Sequence, residues 1–441
     1  MRTLLALALL SSMTLTGPAF SEIRPAPQRT VMDNGVVLLT AEQRGLPMVT
    51  LKFLLDAGSR HDPAGHEGLA CLTARLLTYG TRTRTATQIA EALDFIGASL
   101  NTGCDQETAS VTLTTLRKDL SAGLNLLADV LINASFPPDE IDRQKQAVIA
   151  AIRAKAEKPG EIANKKFAEA LFPQSAYGRQ PEGSEESVKK IARSDLVEFH
   201  GNFYRPNRAI LAVVGDISHR EALKRLTKAF QGWEKGTPPK DAFTPPKAGG
   251  PETIRVHKSL TQANIVLGHE GVPRGHPDYY AIQVMNYILG GGGFSSRLME
   301  EIRNQRGLAY SVYSQFDAAK LAGSFQIVMQ TKNETASEAI RIAKEEIQRI
   351  REKGVTDEEL KAAKDYLIGS FPLRLDTNRR IAAFLAQVEF FELGLDYPER
   401  YPEFIRRVTR ADVARVAKRY LLPNKLITVI VSDQERSDGK K

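Results

Sequence analysis

Metal-ligand patterns are what this chain of 441 residues most plainly lacks. Histidine is scarce, with seven residues (61, 66, 200, 219, 257, 269 and 276), no two of them three or four positions apart. Residues at that spacing share one helix face, so no histidine pair can hold a metal ion from a single helix. His66-Glu67 begins like H-E-x-x-H, but position 70 is alanine. Two cysteines, Cys71 and Cys104, are too few for a disulfide-rich scaffold or a cysteine-based zinc module. Past residue 21, no apolar run approaches the roughly twenty residues a spanning helix needs. No long basic block or aromatic-basic interleaving occurs, so the net charge of +8 reads as a solvated, mildly basic surface and not as a nucleic-acid site.

What is present is the composition of an ordinary globular protein, 42% hydrophobic and 25% charged, at a length that suits two or more domains with full cores. Residues 1–21 stand apart. Met1-Arg2, the apolar residues 4–10 and a small-x-small ending at Ala19-Phe20-Ser21 form a signal-peptide pattern. Export to the periplasm or the medium is expected, with the mature chain starting near Glu22.

The chain repeats itself at an offset of roughly 217 residues. Tyr204-Arg205-Pro206-Asn207 leads into an apolar run at 209–214 and Gly215-Asp216; Tyr420-Leu421-Leu422-Pro423-Asn424 leads into 427–431 and Ser432-Asp433. Upstream, Pro138-Asp139-Glu140-Ile141 and Thr356-Asp357-Glu358-Glu359-Leu360 are helix-start signals at nearly the same offset. The long Pro/Gly-rich stretch 236–250 falls between the copies and reads as a linker. Two halves, 22–235 and 251–441, are expected. In each, strand-like runs (49–55, 109–116, 209–214) alternate with amphipathic helices (120–131, 339–350). Strands in one layer with helices grouped on one face give an α+β fold.

Two motifs carry the chemistry. Residues 68–81 begin Gly68-Leu69-Ala70-Cys71-Leu72-Thr73-Ala74-Arg75 and close on Gly80-Thr81. Residues 290–312 contain Gly290-Gly291-Gly292-Gly293-Phe294-Ser295-Ser296-Arg297-Leu298, then Arg303, the turn Arg306-Gly307 and Tyr310. Together these resemble the insulinase/pitrilysin (inverzincin) peptidase family, and within it the non-catalytic subunit type of the mitochondrial processing peptidase. The family segment reads Gly-Leu-Ala-His-x-x-Glu-His. Here Cys71 and Arg75 stand at the two zinc-binding histidines and Ala74 at the general-base glutamate. The family's third ligand, a glutamate in a downstream helix, falls in the run 142–152, where Ala150 marks the lost position. A guanidinium cannot ligate a metal, so no zinc and no autonomous catalysis are expected of this chain.

The resemblance implies two similar α+β halves that enclose a chamber with a partner chain, with zinc held by that partner, a homologous H-x-x-E-H subunit. It also implies that Arg303 and Tyr310 bind peptide substrate: a fork of guanidinium donors and a phenol aimed at a peptide carbonyl can steady the oxyanion formed on attack. The plain alternative is a salt-bridged helix arginine and a packed tyrosine. The glycine run either lines the substrate path or makes a tight turn. Cys104 is placed by the resemblance on a strand beside the former metal helix, so a disulfide to Cys71 and two buried thiols both stay open. As alternatives, the chain is a metal-free peptide-binding or scaffold protein with no peptidase partner, or an independent zinc enzyme with a different site.

Overall fold

The structure, a computed structural model, describes residues 26–237 and 246–434; the expected leader and part of the expected linker lie outside them. Two mixed sheets organise the chain. The first contains β1 (Gln28–Val31), β2 (Val37–Glu42), β3 (Met48–Leu55), β4 (Ser99–Cys104), β5 (Ala109–Leu116) and β6 (Ala209–Gly215), in the order β1-β2-β6-β3-β5-β4. The second contains β7 (Thr253–His257), β8 (Gln262–Glu270), β9 (Ala309–Ala318), β10 (Gly323–Lys332) and β11 (Ile427–Ser432), in the order β7-β11-β8-β10-β9.

The sheets are copies. In each, the last strand inserts parallel to the first strand of the shared set (β2 with β6, β7 with β11), and every other pairing in that set is antiparallel. Strand β1 is an addition to the first. The register follows burial: Leu51, Phe53 and Leu55 turn one face of β3 to the core of the first half, as alternation requires. Helix starts are where their chemistry puts them. Pro138 opens the helix Pro138–Ala156, and the Thr356 side chain accepts from Glu359 N to cap Asp357–Gly369.

The helices are not grouped on one face, as the sequence suggested. The helix Pro159–Leu171 leaves the first half and lays Ala163, Phe167 and Leu171 on Val266, Val429 and Val431 of the second sheet. Its counterpart Asn378–Phe390, about 217 residues on, lays Ile381, Leu385 and Ala386 into a core shared with Leu39, Leu54 and Val214 of the first sheet. Each repeat therefore closes the other's sheet. The fit is close: a Cβ on Gly268 would lie 2.9 Å from the Phe167 ring and 2.0 Å from the Phe325 carbonyl oxygen. At the seam, the Glu107 carboxylate on the β4–β5 turn accepts from Lys320 N on the β9–β10 turn at 2.9 and 3.0 Å, and from the Tyr177 hydroxyl.

Among the described residues no helix is long and apolar enough to cross a membrane.

Candidate functional site

The helix Leu69–Leu76 carries the first motif. Its N-terminus is held by Asp62, whose two carboxylate oxygens accept from Gly68 N and Ala70 N, each at 2.8 Å. Along its length the three motif positions have three different environments. Cys71 is bonded to Cys104 at the end of β4, with the Cα atoms 5.2 Å apart, which settles the open question of the thiols. Ala74 is buried. Arg75 Nε donates to Oε1 of the buried Gln144 at 2.6 Å, bridging to the helix Pro138–Ala156.

Above these residues lies a cavity of about 360 Å³ lined by Cys71, Ala74, Arg75, Cys104, Ala151 and Lys155, among others. On the downstream helix it is Ala151, not its exposed neighbour Ala150, that faces this space. The donor set does not fit a zinc ion. The Cys71 sulfur is committed to a disulfide, the two alanines offer no lone pair and Arg75 cannot ligate a metal; of the two carboxylates that line the cavity, Glu182 is paired with Lys155 and Asp105 accepts from Glu107 N and Thr108 N. Among the described residues no three His, Cys, Asp or Glu side chains are gathered as a metal would require. Covalent and hydrogen-bonded cross-links thus join the helix to its neighbours at the positions from which metal ligands would reach.

The second motif sits on the edge strand of the other sheet. Chain turns of the wide, i to i+5 kind run through Tyr287–Gly291 and Met299–Asn304, shown by Gly292 N donating to Tyr287 O and Gln305 N to Glu300 O. Gly307, at φ +64°, makes the turn into β9. The Arg303 guanidinium lies between two rings, 4.7 Å from the Phe294 centroid and 5.3 Å from the Tyr310 centroid. Both rings are open to solvent, Phe294 at 69% and Tyr310 at 77% exposure. Nearby cations are neutralised: Arg306 pairs with Glu301, and Arg349 with Glu301 and Glu346 at 3.0 Å. Among the described residues Arg303 has no carboxylate within 4 Å. This is neither a salt-bridged arginine nor a packed tyrosine. Stacked between aromatic faces, the guanidinium keeps its charge and most of its in-plane donors.

Sequence reasoning did not single out Phe294, Gln144, Lys155 or the facing role of Ala151. Phe294 had one signal, its place directly after the glycine run. The first three of those glycines sit tight against their surroundings: a Cβ on Gly290 would meet Ser314 N at 2.5 Å, and one on Gly292 the Tyr287 carbonyl oxygen at 2.8 Å, whereas Gly293 is in open space at φ +58°. The two clusters are separate, since the cavity beside Cys71 is lined from the first half alone.

Fold and site together define a class: a duplicated α+β chain in which the helix Leu69–Leu76 of the first half carries no metal-ligand cluster among the described residues and the second half sets an arginine against a tyrosine on an edge strand. Residues 37–184 match the family model described as "Insulinase (Peptidase family M16)", and residues 190–367 match "Peptidase M16 inactive domain". The chain belongs to the insulinase family. It is similar to an uncharacterized zinc protease of Rickettsia bellii, 28% identical over 88% of this chain and 93% of that protein. It is also similar to an uncharacterized zinc protease of Mycobacterium bovis, 29% identical over 93% of this chain and 94% of that one. A solved peptidase M16 inactive domain from Pseudomonas fluorescens superposes with a TM-score of 0.87 at 28% identity, over 92% of this chain and 97% of that one. A protease from Helicobacter pylori shares the fold, with a TM-score of 0.83 at 20% identity, over 92% of this chain and 99% of that one.

Proposed function

We propose that this chain is the non-catalytic, substrate-binding subunit of an exported heterodimeric zinc metallopeptidase. The observation that carries the reading is the asymmetry between its motifs: the positions matching the family's metal ligands and base carry Cys71, Ala74, Arg75 and Ala150, while Arg303 and Tyr310 match its arginine-tyrosine pair, Arg303 half-buried and Tyr310 exposed, without an ion pair among the described residues. The partner is a homologous subunit with an intact H-x-x-E-H helix, which holds the zinc and performs hydrolysis. Arg303 and Tyr310 grip the peptide carbonyl at the partner's site, and β9, the edge strand of the second sheet among the described residues, can take an extended peptide by strand addition along the part not already bonded by Asn286. Periplasmic or secreted location follows from the leader pattern and agrees with a disulfide, which persists in oxidising compartments.

The test is reconstitution. Mixed with an H-x-x-E-H homologue from the same genome, the chain should raise cleavage of unfolded peptides well above that of either chain alone. Arg303→Ala should lower kcat/KM of the mixture by about a hundredfold, the scale of one lost oxyanion donor, and Tyr310→Phe by about tenfold. Full activity in both variants would exclude the shared site and leave the second reading, a metal-free peptide-binding or scaffold protein.

A further inference from the structure

A second cavity, of about 550 Å³, lies in the second half between the helix Asn378–Phe390, the short turn Phe371–Leu375 and the helix Tyr397–Arg407. Its charged lining is of one sign, Arg274, Arg374 and Arg380, with no acidic residue. Arg380 is engaged by Asp376 at 2.7 Å. The other two have no carboxylate within 4 Å among the described residues. Arg274 is 9% exposed, yet the polar contacts around it are phenolic: its Nη2 donates to Tyr397 Oη at 2.9 Å, and its guanidinium lies 3.9 Å from the Tyr279 ring centroid. Asp317, whose charge reaches Tyr279, accepts from Gln315 at 2.8 Å and lines the neighbouring cavity instead. Arg374 rests against the rings of Phe371 and Tyr401 at 5.7 and 5.8 Å. A buried guanidinium without a counter-anion is costly, because charge removed from water needs a partner.

We infer that this cavity binds an apolar molecule ending in a carboxylate. The anionic end would pair with Arg274 and Arg374, whose planar forks suit a carboxylate's two oxygens. The body would lie on Tyr279, Phe384 and Tyr401, in a space of the size ordinary for a small ligand. A peptide C-terminus with an aromatic last residue and a medium-chain fatty acid share this chemistry. Neither Arg303 nor Tyr310 lines the cavity, so the inference stands whether or not a metal-bearing partner exists.

Titration calorimetry on the full mature chain tests it with three probes: N-acetyl-phenylalanine, its amide, and octanoate. At least one of the two acids should bind with a Kd on the order of 1 mM or tighter, and the tighter of them identifies the source. The amide should bind at least about tenfold more weakly than the corresponding acid. Arg374→Gln, at an exposed position, should weaken acid binding about fivefold or more without altering the fold, and Arg274→Gln should abolish it if that variant still folds. No acid binding at millimolar concentrations, equal binding of acid and amide, or unchanged affinity in Arg374→Gln would overturn the inference.

Discussion

At the scale of residues, the chain's chemistry is written in identities more than in patterns. The family resemblance matched Cys71, Ala74 and Arg75 to the zinc-ligand and base positions, and helix spacing put Cys71 and Arg75 on one face. The Cys71–Cys104 disulfide was one of two open readings and the Arg75–Gln144 bond was not foreseen, since both depend on which strand and helix come alongside. The Arg303–Tyr310 pair was picked out through the family resemblance, seven residues apart. Phe294, the other plate of the stack, was not, because a run of wide helical turns, invisible to a 3.6-residue period, brings it back over Arg303. One buried histidine yields a pH prediction. His269 donates from Nδ1 to Glu270 O at 2.7 Å and accepts from Leu422 N at Nε2 at 3.0 Å, so the neutral ring is the one the fold uses. Burial pushes its pKa down to about 4. A folded-state value below the unfolded one means that the unfolded chain takes up the proton first. Its stability contribution is therefore complete above about pH 6.5 and is lost as pH falls toward 4. Urea titrations should show roughly 2 kcal/mol less stability at pH 5 than at pH 7.5 from this residue. His269→Gln, less stable at neutral pH, should show a correspondingly smaller acid loss; an identical loss would remove His269 as its source.

At the scale of elements, the strands and the helix starts followed the sequence closely, since alternation and capping act locally. The crossing helices did not. Periodicity marks an apolar face on Pro159–Leu171, but nothing local says that this face belongs on the other repeat's sheet. The consequence is that neither half is a finished domain. Phe167→Ala should cost about 3–5 kcal/mol, as for a buried aromatic removed from a tight contact, and should destabilise the second sheet although the residue belongs to the first half. Produced separately, the halves 22–235 and 251–441 should be poorly soluble alone and form a stable complex when co-expressed, as size-exclusion chromatography would show. Two independently folded, monodisperse halves would contradict the reciprocal closure. The disulfide is an element-level staple as well. Cys71 and Cys104 close a loop with a sequence separation of 33, worth about 3–4 kcal/mol in the chain-entropy view. Cys71→Ser should lower the melting temperature by several degrees, and a reductant should do the same to the parent chain but not to the variant.

At the scale of the whole molecule, the proposed division of labour, with the metal on a partner and the substrate grip on this chain, joins both motifs. The first half braces the helix Leu69–Leu76 with a disulfide and a side-chain hydrogen bond, and the second half holds a half-buried arginine against two exposed rings beside a sheet edge. On the proposed reading the chain needs a partner, and hydrolysis resides in that partner. The measurement that bears on it most directly is peptide cleavage by the purified chain alone and after adding an H-x-x-E-H homologue, with zinc quantified in each chain. The account predicts no cleavage and no stoichiometric zinc in this chain alone, and activity in the mixture that chelators abolish through the partner. Chelator-sensitive cleavage by the isolated chain, with bound zinc at one per molecule, would contradict it.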